Sequence, residues 1–335
     1  MLSTTRSYFR CLQIAAWFVS SCACILSLVS TSAALAQQYP VKPVRLINPF
    51  PTGGGMDLVA RPIASHLSQA IGQQFVVENR PGATGTIGSE VVAKSPPDGY
   101  TLLLVSSSHA TNPSIYGKLP FNTERDFASV SLLATGFYIL VVHPSLPVHS
   151  VRELIAFAKR NRGQLNFSSS GNGTMTHLAG ELFNMMAGVH MSHIPFKGSA
   201  TSTIAAISGE VPILFAPNSV VAPFLQAGKL RALGVTSTKR LAAAPDAPTI
   251  AEAGLPGFEV AGWYGLVAPA GTPKEIISLL SAQTAKVMQA PELVKYLSSQ
   301  SYTPVGSTPE AFASVIHEDI AKWEKVIRIS GAKTN

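Results

Sequence analysis

Apolar and polar positions follow one repeating order through most of this chain. A short apolar run leads into a glycine-bearing turn, and apolar residues at steps of three and four come next. Residues 44–50 read as a short buried strand ending in Pro51-Thr52-Gly53-Gly54-Gly55-Met56-Asp57. A helix follows to residue 71, with Val59, Ile63, Leu67 and Ile71 at i+4 steps and Gly72 as its stop. Asp57 is the expected N-cap. Pro62 is expected to distort the early helix, because it lacks an N–H and its ring crowds the preceding turn. Residues 75–79 form a second strand, and the turn 82–88 enters a helix ending at residue 94. Asp98-Gly99 punctuates, and 100–105 is a third strand. Strands alternating with helices predict a parallel sheet.

The middle of the chain repeats this order. A strand over 137–142 precedes a helix over 151–161, capped by Ser150 with Glu153 completing a capping box. A strand over 165–168 enters Ser169-Ser170-Gly171-Asn172-Gly173-Thr174. The next helix carries Leu178, Leu182 and Met186 on one stripe and stops at Gly188. Strands over 193–196, 211–215 and 232–236 alternate with helices over 201–208 and 223–228. Residues 239–258 are rich in Pro and Ala and read as irregular. A strand over 262–268 and helices over 273–289, 291–299 and 309–328 close the chain. No repeat of 20–50 residues is present.

The N-terminus departs from this order. Arg6 and Arg10 precede an uncharged apolar run over 11–30, and Ala34-Leu35-Ala36 follows. These three features make a secretory signal peptide over 1–36, cleaved after Ala36, so the mature protein is expected in the periplasm. The alternatives are an uncleaved anchor, since the run is long enough to span a bilayer, and lipid attachment at Cys22.

At 46% hydrophobic and 13% charged residues, the 335-residue chain is excluded from the disordered class. Its length suits two α/β domains. Cleavage removes all three cysteines, Cys11, Cys22 and Cys24, so no disulfide or thiol chemistry remains. Losing Arg6 and Arg10 lowers the formal net charge from +7 to +5. That mild excess, without a run of Lys or Arg, favours small anions and argues against nucleic acid.

Two strand–glycine-turn–helix units, at 50–57 and 168–174, are candidates for chemistry. Each sets free backbone N–H groups at a helix N-terminus, an anion site that needs no lysine. The alternative is two ordinary loops, which often contain glycine. Gly82, Gly85 and Gly88 do not match a dinucleotide fingerprint, and neither a P-loop nor a nucleophile elbow is present. His190 and His193 lack a third zinc ligand. His109, His143 and His177 read as structural or solvated. Lys197 is either a ligand cation or an exposed loop lysine. A serine of 168–170 with His177 is the weak hydrolase alternative, since no acid, base and nucleophile set assembles.

These stretches carry a family resemblance. Residues 48–57 (NPFPTGGGMD), 78–85 (ENRPGATG) and 97–102 (PDGYTL) match in order, as do Gly171-Asn172-Gly173-Thr174 with His177-Leu178-Ala179 and Pro195-Phe196-Lys197-Gly198. Thr236-Ser237 and Lys239-Arg240 lead into 248–257 (PTIAEAGLPG), and Trp263-Tyr264-Gly265-Leu266 precedes 268–273 (APAGTP). The chain resembles the Bug (TctC) family, the extracytoplasmic solute receptors of tripartite tricarboxylate transport systems.

The resemblance implies an α/β, periplasmic-binding-protein-like fold of type II, with two domains, a ligand cleft between them and two crossover strands. Domain 1 is expected over 37–138 plus 262–335 and domain 2 over 139–261, with crossings near 137–140 and 260–263 and closure on binding. Backbone amides and hydroxyls of Phe50, Thr52, Gly53, Gly54, Ser106, Ser107, Ser170, Gly171, Gly173, Thr174, Phe196, Lys197, Gly198 and Ala216 are the expected ligand contacts. No cofactor, metal or catalysis is implied. The expected partners are a small carboxylate and the membrane permease of a tripartite tricarboxylate transporter, served by a monomer. A ligand-sensing receptor for a signalling partner is the alternative. Two departures stand out: Pro62, and the stretch 209–218, which lacks aspartates at Pro212 and Ala216. With Asp57 capping a helix and Glu210 solvated, nothing in the expected site would neutralise an ammonium, so a carboxylate without an amino group is expected.

Overall fold

The computed structural model describes residues 39–240 and 246–332. The expected leader, its cleavage point and Cys22 lie outside them. The chain divides into a short unit, Met1–Val41, and a second, Lys42–Asn335, which holds every element below.

The first part of the second unit comprises β1 (Val44–Asn48), α1 (Gly55–Ile71), β2 (Phe75–Asn79), a 3-10 turn (Ala83–Gly85), α2 (Thr86–Ala93), β3 (Thr101–Ser106) and α3 (Ser108–Tyr116). β1 lies between β2 and β3, parallel to both. Leu102, Leu103, Leu104 and Val105 of β3 are all buried, as a strand covered on both faces requires. α1 turns Val59, Ile63 and Leu67 inward as expected, and it runs unbroken through Pro62.

β4 (Phe127–Val142) is the longest strand and organises the rest. Its Phe127–Phe137 stretch pairs antiparallel with β9 (Ala261–Pro269). From Tyr138 onward its partners change to β7 (Ile213–Pro217) and β8 (Arg231–Val235). The change of partner at Tyr138 falls within the expected crossing at 137–140. The second expected crossing coincides with the start of β9, where Val260 N–H still bonds Thr236 while Ala261 already pairs with Phe137. The sheet order is β2-β1-β3-β9-β4-β7-β5-β6, with β5 (Asn166–Ser169) and β6 (Ser192–Pro195) at the far edge. Between these strands lie α4 (Val151–Arg160), α5 (Met175–Ala187), α6 (Ser199–Ile207) and α7 (Asn218–Gln226). α8 (Lys274–Met288), α9 (Pro291–Ser299), the short β10 (Tyr302–Pro304) and α10 (Pro309–Ser330) complete the chain.

The two halves of the sheet have separate cores. One gathers Ile47, Leu103, Val267 and Phe312; the other gathers Phe167, Phe183, Phe215 and Phe258. α10 serves both, placing Phe312 and Ile316 in the first and Trp323 and Ile327 in the second. Ser150 caps α4 as expected, accepting from Glu153 N–H at 3.2 Å, while the Glu153 carboxylate reaches back to His149 N–H at 2.7 Å. On α5 the buried face is Leu178, Phe183 and Ala187; Leu182 and Met186 are only partly buried. Among the described residues no helix is long and apolar enough to cross a membrane.

Candidate functional site

A cleft of about 680 Å³, partly open to solvent, lies where the two halves of the sheet meet. Five helices begin on its wall. Gly54 caps α1, and Gly55 and Met56 open it; Ser107 and Ser108 start α3. Thr174 caps α5, followed by Met175 and Thr176; Gly198 caps α6, followed by Ser199 and Ala200; Pro217 precedes α7. The first N–H groups of a helix have no partner within it, and the aligned peptide dipoles add partial positive charge there. The N–H groups of Gly55, Met56, Met175 and Thr176 have no hydrogen-bond partner among the described residues. Among the described residues, Lys197 is the one charged side chain on the wall, and no carboxylate joins it.

The first glycine loop is braced from behind. Asn48 Oδ1 accepts from Phe50 N–H at 3.1 Å, and Asn79 Nδ2 donates to Phe50 O at 2.9 Å. Asp57 is not the N-cap: Gly54 holds that place and Asp57 is the third helical residue. Its buried carboxylate accepts from Gly53 N–H at 3.3 Å, Arg61 Nε at 3.0 Å and Asn48 Nδ2 at 3.3 Å. Burial alone would raise its pKa, but the bonds from Arg61, Gly53 and Asn79 outweigh that and hold it below the usual carboxylate value. Asp57 is therefore committed to bracing the loop and not, as expected, to capping its helix.

The second glycine loop is arranged differently. Gly171 N–H bonds Ser169 Oγ at 3.1 Å, Gly173 N–H bonds His177 Nδ1 at 3.1 Å, and Thr174 N–H bonds Gly171 O at 3.3 Å. These donors are thus consumed within the loop and by the first turn of α5. Ser169 Oγ also lies 2.6 Å from His193 Nε2, and the His177 and His193 rings stack with centroids 3.7 Å apart. Burial, with His177 as neighbour, pushes the His193 pKa down to about 3. Among the described residues, N–H groups left without a partner in this half lie instead at the α5 start, on Met175 and Thr176.

Of the expected contacts, Phe50, Thr52, Gly54, Ser106, Ser107, Ser170, Thr174, Lys197 and Gly198 line the cleft. Gly53, Gly171, Gly173, Phe196 and Ala216 do not. Gly53 gives its N–H to Asp57. Phe196 gives its own to Ser169 O. Ala216 is buried within β7, and the neighbouring Pro217 reaches the wall instead. The sequence reading missed Tyr138, Trp263 and Tyr264 as wall residues. Trp263 and Tyr264 sit in a stretch that carried the resemblance, whereas Tyr138 reaches the wall only through the partner change in β4.

The aromatic wall is held firmly. Ser107 Oγ accepts from Trp263 N–H at 2.8 Å, and Trp263 Nε1 donates to Asp319 at 2.6 Å. The Tyr264 and Tyr302 hydroxyls are 3.4 Å apart, and burial raises both pKa values, leaving neutral phenols. A side chain at Gly55 would strike them, since its Cβ would lie 2.7 Å from each hydroxyl. The missing Cβ is what keeps this end of the cleft open.

The description "Tripartite tricarboxylate transporter family receptor" (TctC) matches residues 59–332. The chain belongs to this receptor family. Rpa4515 of R. palustris, solved with adipate, is 38% identical with a TM-score of 0.85, over 88% of this chain and 99% of that one. The periplasmic binding protein BugD is 30% identical with a TM-score of 0.83, over 89% and 100% of the two chains. MatC (Rpa3494) from Rhodopseudomonas palustris, with bound malate, is 30% identical with a TM-score of 0.81, over 86% and 100%. The TctC receptors thus supply the fold class: a periplasmic-binding-protein-like α/β fold with crossover strands and a cleft between its two parts.

Proposed function

We propose that this chain captures a small carboxylate without an amino group and presents it to the membrane permease of a tripartite tricarboxylate transporter. One observation carries this reading: among the described residues, five helix N-termini converge on a cleft whose only charged side chain is Lys197. Such a wall offers donors and positive potential to an anion, and no carboxylate to an ammonium. Adipate in Rpa4515 and malate in MatC, both dicarboxylates, support the ligand class. The contacts are proposed at Gly55 and Met56 in the first half and at Ser170, Met175 and Thr176 in the second, with Lys197 facing a second acid group. The domains are proposed as 37–138 plus 262–335 and 139–261. The protein is proposed to work as a monomer in the periplasm after cleavage at Ala36.

The hydrolase alternative paired a serine of 168–170 with His177, but His177 Nδ1 accepts from Gly173 N–H, and the histidine that Ser169 meets is His193. Ser169 is fully buried, off the cleft wall and engaged with Gly171. A nucleophile there would have no substrate to meet, so the proposed role is binding without catalysis.

Thermal-shift and calorimetric titration with adipate, malate, benzoate, aspartate and glutamate test the ligand class, because a ligand of the folded state raises its melting temperature by mass action. Stabilisation by adipate, malate or benzoate is expected. Stabilisation by aspartate or glutamate alone would overturn the reading.

A further inference from the structure

The turn before α2 holds two non-glycine residues with left-handed backbone, Ala83 at φ 45° and Thr84 at φ 51°. A β-branched residue rarely adopts that conformation, and it persists only where surrounding contacts hold it. Thr84 is held from three sides. Asn112 Nδ2 donates to its carbonyl at 3.2 Å, and the Tyr116 hydroxyl donates to its Oγ1 at 3.0 Å. Its own hydroxyl then donates to the opposite half, to Asn172 O, 2.8 Å away in the second glycine loop. A second such bond lies beside it: Thr111 Oγ1 donates to Gly173 O at 2.6 Å. Ile115 of α3 packs over Gly173 so closely that a Cβ there would lie 2.7 Å from its Cγ1.

The second loop spends the N–H groups of Gly171, Gly173 and Thr174 within its own half and turns two carbonyls toward the opposite one. Among the described residues, Thr84 is the donor to Asn172 O and Thr111 the donor to Gly173 O. We propose that Thr84 and Thr111 form a clasp across the cleft. They are positioning residues that set how much of the protein is closed before ligand arrives. The proposal rests on the cleft being the binding site. A ligand that binds the closed form sees an affinity scaled by the closed fraction, so loosening the clasp weakens every ligand by one common factor.

Hydrogen exchange on the ligand-free protein tests the clasp directly. Thr84→Ala is expected to raise exchange over residues 171–176, across the cleft, while Thr84→Ser restores protection. Thr84→Gly relieves the left-handed backbone but lacks the hydroxyl. It should melt no lower than the parent yet exchange faster over 171–176, which a merely structural residue would not do. Unchanged exchange over 171–176 in both Thr84→Ala and Thr84→Gly would overturn the clasp. Calorimetry with adipate and malate as probes adds a second reading. Thr84→Ala should weaken both by the same factor, about fivefold for one hydrogen bond. A loss confined to one probe would make Thr84 a ligand contact and overturn the proposal. If neither probe binds the parent, the carboxylate reading fails, and the exchange data still decide the clasp.

Discussion

The two glycine loops are written in the same local code and do different work. Both follow a short strand, both carry glycine, and both enter a helix. At 50–57, Asn48, Asn79 and Asp57 brace the loop from behind, and the N–H groups of Gly55 and Met56 have no partner among the described residues. At 169–174, Ser169 and His177 take the loop donors, and the carbonyls of Asn172 and Gly173 face the opposite half. On the proposed reading, the first loop receives an anion and the second holds the two halves together. A glycine turn before a helix permits close approach; what approaches is decided by the surrounding side chains.

The largest effect that would sharpen this contrast is expected from Gly55→Val. Its Cβ would meet the Tyr264 and Tyr302 hydroxyls at 2.7 Å and fill that end of the cleft. Affinity for the best carboxylate should fall more than about tenfold, or ~1.4 kcal/mol, by calorimetry. Retained affinity would place the ligand away from the first loop. Gly173→Ala should act mainly on stability. Its φ of +75° is left-handed and its Cβ would press on Ile115, so a loss of about 1–3 kcal/mol in denaturant unfolding is expected. No loss of stability would show that the two halves do not meet tightly at Gly173.

Acid should separate the loops next. His193 titrates at 6.5 unfolded and at about 3 folded, so the unfolded chain binds the extra proton between those values. The stability it contributes is whole above pH 6.5 and is lost progressively as pH falls toward 3. His109, buried and pushed down to about 4, adds a loss over 6.5 to 4. Asp57, held below 3.8, contributes fully above that value and loosens only in stronger acid. Melting temperature should therefore drop between pH 7 and pH 5, and His193→Asn should flatten the drop. An unchanged slope in that variant would show that His193 is not what makes the second loop acid-sensitive.

The smallest effect is expected at Lys197, exposed at the rim. Lys197→Met should weaken a dicarboxylate about fivefold, ~1 kcal/mol in high dielectric, and leave a monocarboxylate nearly unchanged. Equal losses for both would mean that Lys197 contributes general potential without selecting a second acid group.

Much of this was readable from the sequence. Apolar runs such as Leu102-Leu103-Leu104-Val105 and the stops at Gly72 and Gly188 report local preferences, and those elements formed where expected. α3 escaped because Ser-His-Ala-Thr-Asn-Pro-Ser-Ile-Tyr has no apolar stripe; tertiary contacts hold it. The first ten residues of β4 escaped because they are covered from both sides without alternation. The positions of both glycine loops were legible, but which of their donors remain free and what their other polar groups meet were not. That depends on His177, His193, Thr84 and Thr111, which reach the second loop from separate elements, Thr84 from 88 residues away. Local pattern cannot report such meetings.

The central claim is that an anion rests on helix starts in both halves of the cleft. A crystal structure of the protein grown with adipate tests it most directly. The account predicts carboxylate oxygens within about 3.2 Å of the Gly55 or Met56 N–H and of the Met175 or Thr176 N–H, with His177 Nδ1 still bonded to Gly173. Adipate seated instead on the N–H groups of Gly171 and Gly173, with the His177 bond broken, would contradict it.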